Sequence, residues 1–121
     1  MVGSLTSLNA VVVEAMLASC HTEKKESARV GELADAANEI LEQRGEMLEL
    51  KPRAVGYRLT AMGFLTARLG AGGRGLLLWD TVRKRIHKLA VEYGVLVVRG
   101  NMNGCRHCLA LPQNESSDPN V

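Results

Sequence analysis

Aromatic residues are nearly missing from this chain of 121 residues, which holds one Trp, one Phe and two Tyr. Hydrophobic residues still make up 46%, so a core has to be assembled from Leu, Val, Ile, Met and Ala. That fraction suits a single domain that needs neither a disulfide nor a metal to fold. No apolar run approaches the roughly 20 residues that cross a bilayer. The start of the chain has no basic segment leading into an apolar one, as a secretory signal would. Cysteines number three, and two of them are close together. An odd count argues against a secreted disulfide framework and for a reducing, cytoplasmic setting, nucleoid-associated in a bacterium. Neither a Ser/His/Asp grouping nor a carboxylate pair can be read from the residues, and His21, His87 and His107 lie in separate segments. No catalytic role is expected.

What is present is charge, unevenly placed. Residues 1–50 carry nine acidic and four basic side chains. Residues 51–108 carry eleven basic side chains against Asp80 and Glu92 alone, and the last thirteen residues add Glu115 and Asp118. The overall charge of +2 therefore conceals a strongly basic second half, which either attracts a polyanion or is a solvated face.

Periodicity orders the chain. Leu8, Val12, Ala15 and Met16 fall at helical spacing in residues 5–20, with Ser7 or Thr6 as the cap. A polar loop follows, then a short strand at Ala28-Arg29-Val30. Leu33, Ala34, Ala37, Ile40 and Leu41 form the apolar stripe of a second helix over 31–44, with Gly45 as its stop. Pro52 suits the first turn of a third helix that runs to about Met62. Residues 64–69 and 76–79 then read as a β-hairpin around Gly70-Ala71-Gly72-Gly73-Arg74-Gly75. That glycine cluster lacks the GxxxxGK[ST] pattern and leads into a strand, so nucleotide binding is rejected there. Asp80 is expected to cap a fourth helix reaching about Tyr93, with Val82, Ile86, Leu89, Ala90 and Tyr93 inward. Arg83-Lys84-Arg85, Lys88 and His87 are read as its outer surface. Val95 to Val98 could add a strand, and residues 112–121 read as a disordered tail. The expected fold is α+β, mainly α, with three or four short strands in one domain over 1–111.

Cys105-Arg106-His107-Cys108 places two thiols at a spacing that suits tetrahedral zinc, with two further ligands required. Cys20 and His21 could supply them if the segment folds back onto the end of the first helix. The readings left open are one structural zinc, no metal with free thiols, or redox chemistry.

Two helices followed at once by a hairpin resemble the winged helix-turn-helix superfamily. Residues 30–78 carry the likeness, notably Gly31-Glu32-Leu33-Ala34-Asp35 and Arg53-Ala54-Val55-Gly56-Tyr57-Arg58-Leu59-Thr60-Ala61-Met62-Gly63-Phe64. The style is that of modules attached to bacterial, phage and plasmid replication and regulatory proteins. The Gly45–Lys51 link is longer than the turn of a standard helix-turn-helix. The resemblance implies double-stranded DNA binding, in transcription regulation or in replication and mobile-element maintenance, with the third helix in the major groove.

On a helical wheel Val55, Leu59 and Met62 face the core, which leaves Arg53, Tyr57 and Thr60 outward. Arg can read guanine and a Thr methyl can touch thymine. Lys51 and the helix-start amides suit a phosphate. Arg58 lies on the flank, for a phosphate or an acid of helix two. Arg68 and Arg74, beside the hairpin glycines, suit a narrow minor groove. A homodimer through the apolar surplus of helix 5–20 is the expected assembly. The rival expectation is a protein-interaction module without DNA contact, which would expose an apolar patch, for instance along that first helix. RNA is a weaker partner, since aromatic stacking platforms are scarce.

Overall fold

The computed structural model describes residues 7–22, 24–70, 73–95 and 105–109. The elements in chain order are α1 (Leu8–Cys20), β1 (Ser27–Arg29), α2 (Val30–Gln43), α3 (Pro52–Ala61), β2 (Ala67–Arg68), β3 (Arg74–Leu77), α4 (Asp80–Glu92) and the short α5 (Arg106–Leu109). The architecture is α+β and mainly helical, with one three-stranded antiparallel sheet in the order β1-β3-β2. The strand expected at 95–98, apart from Val95, and the tail at 112–121 lie outside the described residues.

Helix α1 is the centre of the molecule. Its side chains are apolar on nearly every side, and Val11, Val12, Val13, Ala15 and Met16 are completely buried, as an all-round apolar helix must be. Helices α2, α3 and α4 pack around it. The apolar surplus that suggested a dimer seam is thus consumed by the chain's own core. Ser7 caps the helix as expected, its Oγ accepting from the Ala10 N–H at 3.2 Å.

Helix α2 is amphipathic, with Leu33, Ala34, Ala37 and Leu41 buried. Glu32 secures its start by accepting from the Arg29 N–H at 3.0 Å and pairing with Lys25 at 3.2 Å. The long link to α3 is held by a side chain that the sequence pattern did not single out. Asn38 accepts from the Leu50 N–H at 2.6 Å and donates to the Leu50 carbonyl at 2.9 Å. An amide presenting one donor and one acceptor in this way stands in for a neighbouring strand.

Pro52 opens α3, and Val55, Leu59 and Met62 point into the core. Gly63 ends the helix at φ +91°, a conformation that a Cβ disfavours, and the Phe64 N–H closes back on the Leu59 carbonyl at 2.9 Å. The hairpin is shorter than expected, because Phe64 turns into the core while Leu65 faces outward. Asp80 is not the cap of α4. Trp79 holds that position, and Asp80 sits in the first turn, where a carboxylate complements the helix dipole.

In the sheet, Gly75 lies between the two neighbouring strands, opposite Arg29 on β1 and Ala67 on β2. A Cβ there would stand 2.6 Å from the Ala28 carbonyl oxygen and 2.9 Å from the Arg29 Cα, besides striking the Leu69 side chain. Backbone cannot yield as a flexible side chain can. Gly75→Ala is expected to destabilise the fold by about 1–3 kcal/mol, the usual cost of overpacking, seen as a lower urea midpoint at constant slope. An unchanged midpoint would mean that β1 moves aside at no cost.

Candidate metal centre

Three separate parts of the chain converge at one end of α1. His21 is the C-cap residue of that helix, its N–H bonded to the Leu17 carbonyl at 3.1 Å. His87 lies on α4, facing inward. Cys105 precedes α5 and Cys108 lies within it, and the Cys108 N–H bonds to the Cys105 carbonyl at 3.1 Å. That turn brings the two sulfurs to the same side. The ligand atoms of His21, His87, Cys105 and Cys108 all lie within 4.8 Å of one another, and the four could hold a metal ion.

Two of the sulfur–nitrogen distances come close to those of a tetrahedral site. His21 Nε2 is 3.2 Å from Cys108 Sγ, and His87 Nε2 is 3.4 Å from Cys105 Sγ. Ligands on a tetrahedral zinc, with Zn–N and Zn–S bonds of about 2.0–2.3 Å, stand roughly 3.3–3.8 Å apart. The two imidazoles meet nearly edge to face, with centroids 5.4 Å apart, so their Nε2 atoms approach one point without the rings clashing.

The protonation states also suit ligation. His87 Nδ1 is 2.8 Å from the Arg83 carbonyl one helical turn earlier. A carbonyl only accepts, so Nδ1 carries the proton and Nε2 presents its lone pair to the cluster. Burial pushes the His87 imidazole below its ordinary value, against the raising effect of that hydrogen bond, and burial likewise lowers His21. Both shifts favour the neutral ring, the form that binds metal. All three cysteines are free of disulfides.

One expected ligand is replaced. Cys20 is not part of the quartet. It belongs to the core cluster and is 7% exposed, and burial pushes its thiol up to about 12, despite the nearby Arg83 charge. The nearby Cys105 and Cys108 also raise the Cys20 thiol, so it lies beside the site without joining the four ligand atoms. His87 takes the fourth place. It is not a surface residue, being 1% exposed. The signal for it was available: His87 borders the Ile86–Ala90 stripe, and a lone CxxC needs two more ligands from a chain with three histidines. His107, between the cysteines, instead pairs with Asp80 (Nε2 to Oδ1, 3.3 Å) and lies 5.5 Å from the His87 ring.

Arg83 fixes the surroundings and is not an outer charge of a solvated face. Its guanidinium donates to the carbonyls of Leu78 at 2.8 Å and Cys20 at 3.1 Å, and also to that of Lys25. It thus ties the end of α1, the following loop and the exit of β3 to α4. Arg85 also turns back, donating to the Met62 carbonyl at 2.6 Å and lying over the Phe64 ring at 5.3 Å. Only Lys84 and Lys88 of the basic run remain as plainly exposed charges without a described hydrogen bond.

The residues expected to meet DNA are distributed differently. Lys51, Arg53, Tyr57 and Thr60 are exposed on α3 and its cap. Arg58 is half-buried and donates to Asn9 Oδ1 at 2.9 Å, so its partner is α1 and not an acid of α2. Arg68 and Arg74 are exposed and stand directly opposite each other on β2 and β3. Arg74 also donates to the Thr66 carbonyl at 2.9 Å. Comparison with protein-family models, curated proteins and solved structures found no match.

Arg83→Ala is expected to cost roughly 2–4 kcal/mol, because it leaves buried carbonyls without their charged donor. Arg83→Lys should recover little of this, since one ammonium cannot span three carbonyls as a planar guanidinium does. Chemical denaturation of both variants checks it, and full rescue by lysine would show that only the charge matters.

Proposed function

We propose that the chain binds double-stranded DNA as a winged helix-turn-helix domain, in transcription regulation or in replication and mobile-element maintenance. The observation that carries this reading is the pair Arg68–Arg74. Two exposed arginines placed opposite each other on β2 and β3 repel mildly, and a polyanion beside them would relieve that repulsion. Supporting it, Arg53, Tyr57 and Thr60 recur at i, i+4 and i+7 along the open face of α3, opposite buried Val55, Leu59 and Met62. Basic charge draws the duplex, the amides at the start of α3 and Lys51 meet phosphate, and Arg53 reads a base edge in the major groove. The β2–β3 ribbon acts as the wing.

Fluorescence anisotropy with a random-sequence duplex tests this at two salt concentrations. Binding should weaken steeply as salt rises. Arg68→Ala should reduce the slope of log K against log salt by about 1. On a selected site, Arg53→Ala should cost about 1–3 kcal/mol. No binding at low salt would overturn the reading.

A protein-interaction role is the second reading, and one feature favours it. Leu65 (88% exposed) and Trp79 (65% exposed) flank a groove of about 550 Å³ that Phe64, Leu77 and Val82 also line. Among the described residues an exposed apolar surface thus lies between the ribbon and α4, and none lies along α1. Under this reading Trp79→Ala would abolish partner binding while any weak DNA affinity stayed unchanged.

A further inference from the structure

The geometry points to a structural zinc centre of the Cys2His2 type, formed by His21 Nε2, His87 Nε2, Cys105 Sγ and Cys108 Sγ. Its role is to staple the Cys105–Leu109 segment to the end of α1 and the middle of α4. The proposal stands independently of what the α3 face binds.

Three observations select the metal and its role. The donor set is two sulfurs and two imidazole nitrogens within 4.8 Å of one another, which favours zinc over magnesium or calcium, ions that take oxygen ligands. Charge balances as well, because two thiolates cancel the two positive charges of Zn²⁺ and the imidazoles stay neutral. A buried site tolerates a neutral assembly far better than a net charge. Finally, all four tetrahedral positions are filled by protein atoms, and a catalytic zinc needs one left for water or substrate.

The outer contacts are those of a built site. The Arg83 carbonyl holds His87 in the correct tautomer at 2.8 Å. The Arg83 guanidinium, through the Cys20 carbonyl at 3.1 Å, anchors the peptide that leads into His21. One residue therefore orients both histidines, from its backbone and from its side chain. A four-residue helix such as α5 (Arg106–Leu109) cannot persist alone, because nucleation of so short a helix is unfavourable. Beyond the His107–Asp80 pair, the metal adds tertiary bonds: its ligands join residues 21, 87, 105 and 108, closing three loops of very different length.

The full chain, purified under reducing conditions, should carry one zinc per molecule by elemental analysis. Co²⁺ in its place should give the d–d bands of a tetrahedral ion with thiolate charge transfer of two-sulfur intensity. Removing an outer partner of a zinc ligand costs about 10–100-fold in affinity. Losing a direct ligand should exceed that, so Cys108→Ser and His87→Gln should each weaken zinc binding by more than about 100-fold. Cys20→Ala and His107→Gln should retain one tight zinc. Should a ligand variant fail to fold, the cobalt spectrum of the unmodified chain still decides the ligand set. An octahedral cobalt spectrum, a metal-free chain that stays metal-free when zinc is added, or a Cys105–Cys108 disulfide would overturn the proposal. Loss of zinc in Cys20→Ala or His107→Gln, with Cys108→Ser unaffected, would overturn it equally.

Discussion

A single apolar helix buried over most of its surface is the constraint from which the rest of the molecule follows. With few aromatics available, the core gains its apolar area by surrounding α1, whose three consecutive valines and Met16 are wholly enclosed. Each such side chain contributes about 1.5–3 kcal/mol when taken out of water. Helices α2, α3 and α4 can cover α1 only by packing from different directions, which spreads their outer faces around the molecule. The sheet then closes over α2, with β1 and β3 lying against it. Because α4 is fastened to α1, His87 on α4 comes to face His21 at the end of α1, although 66 positions separate them in the chain.

Arg83 links that packing to the chemistry. It occupies a position that a charge count assigns to an outer basic face, yet its guanidinium is spent on three main-chain carbonyls. Those carbonyls belong to chain turns that no regular element satisfies, and a buried carbonyl without a donor is costly. The same residue orients His87 through its own carbonyl. Stability at the junction of α1 and α4 and the geometry of the metal centre are therefore not separable.

The charge left over defines the other face. Once Arg58, Arg83 and Arg85 are committed to internal partners, the exposed basic groups of α3 and the ribbon are Lys51, Arg53, Arg68 and Arg74. They are fewer than composition suggests. The metal centre belongs to the α1–α4 junction and takes none of these residues, so the two features can serve different ends in one small domain.

The order of elements and most of their inward stripes were determined by the sequence alone, because local periodicity and capping act within a few residues; Tyr93, expected inward on α4, is exposed. Ser7, Pro52, the Val55–Leu59–Met62 stripe and the metal-suited spacing of Cys105 and Cys108 were all legible for that reason. The direction of a long side chain at a helix edge was not. Arg83 and His87 have the periodicity of flanking positions, and whether a flank is wet or buried depends on what packs beside it. Cys20 and His21, adjacent at a helix end, were equivalent candidates until the path of the 105–109 segment chose between them. Asn38, Gly75 and the Arg68–Arg74 pairing likewise depend on which strand or loop lies alongside. Only the tertiary structure decides these, because ligand geometry and close approach are set by distances between segments, about which a single strand of sequence carries no local signal.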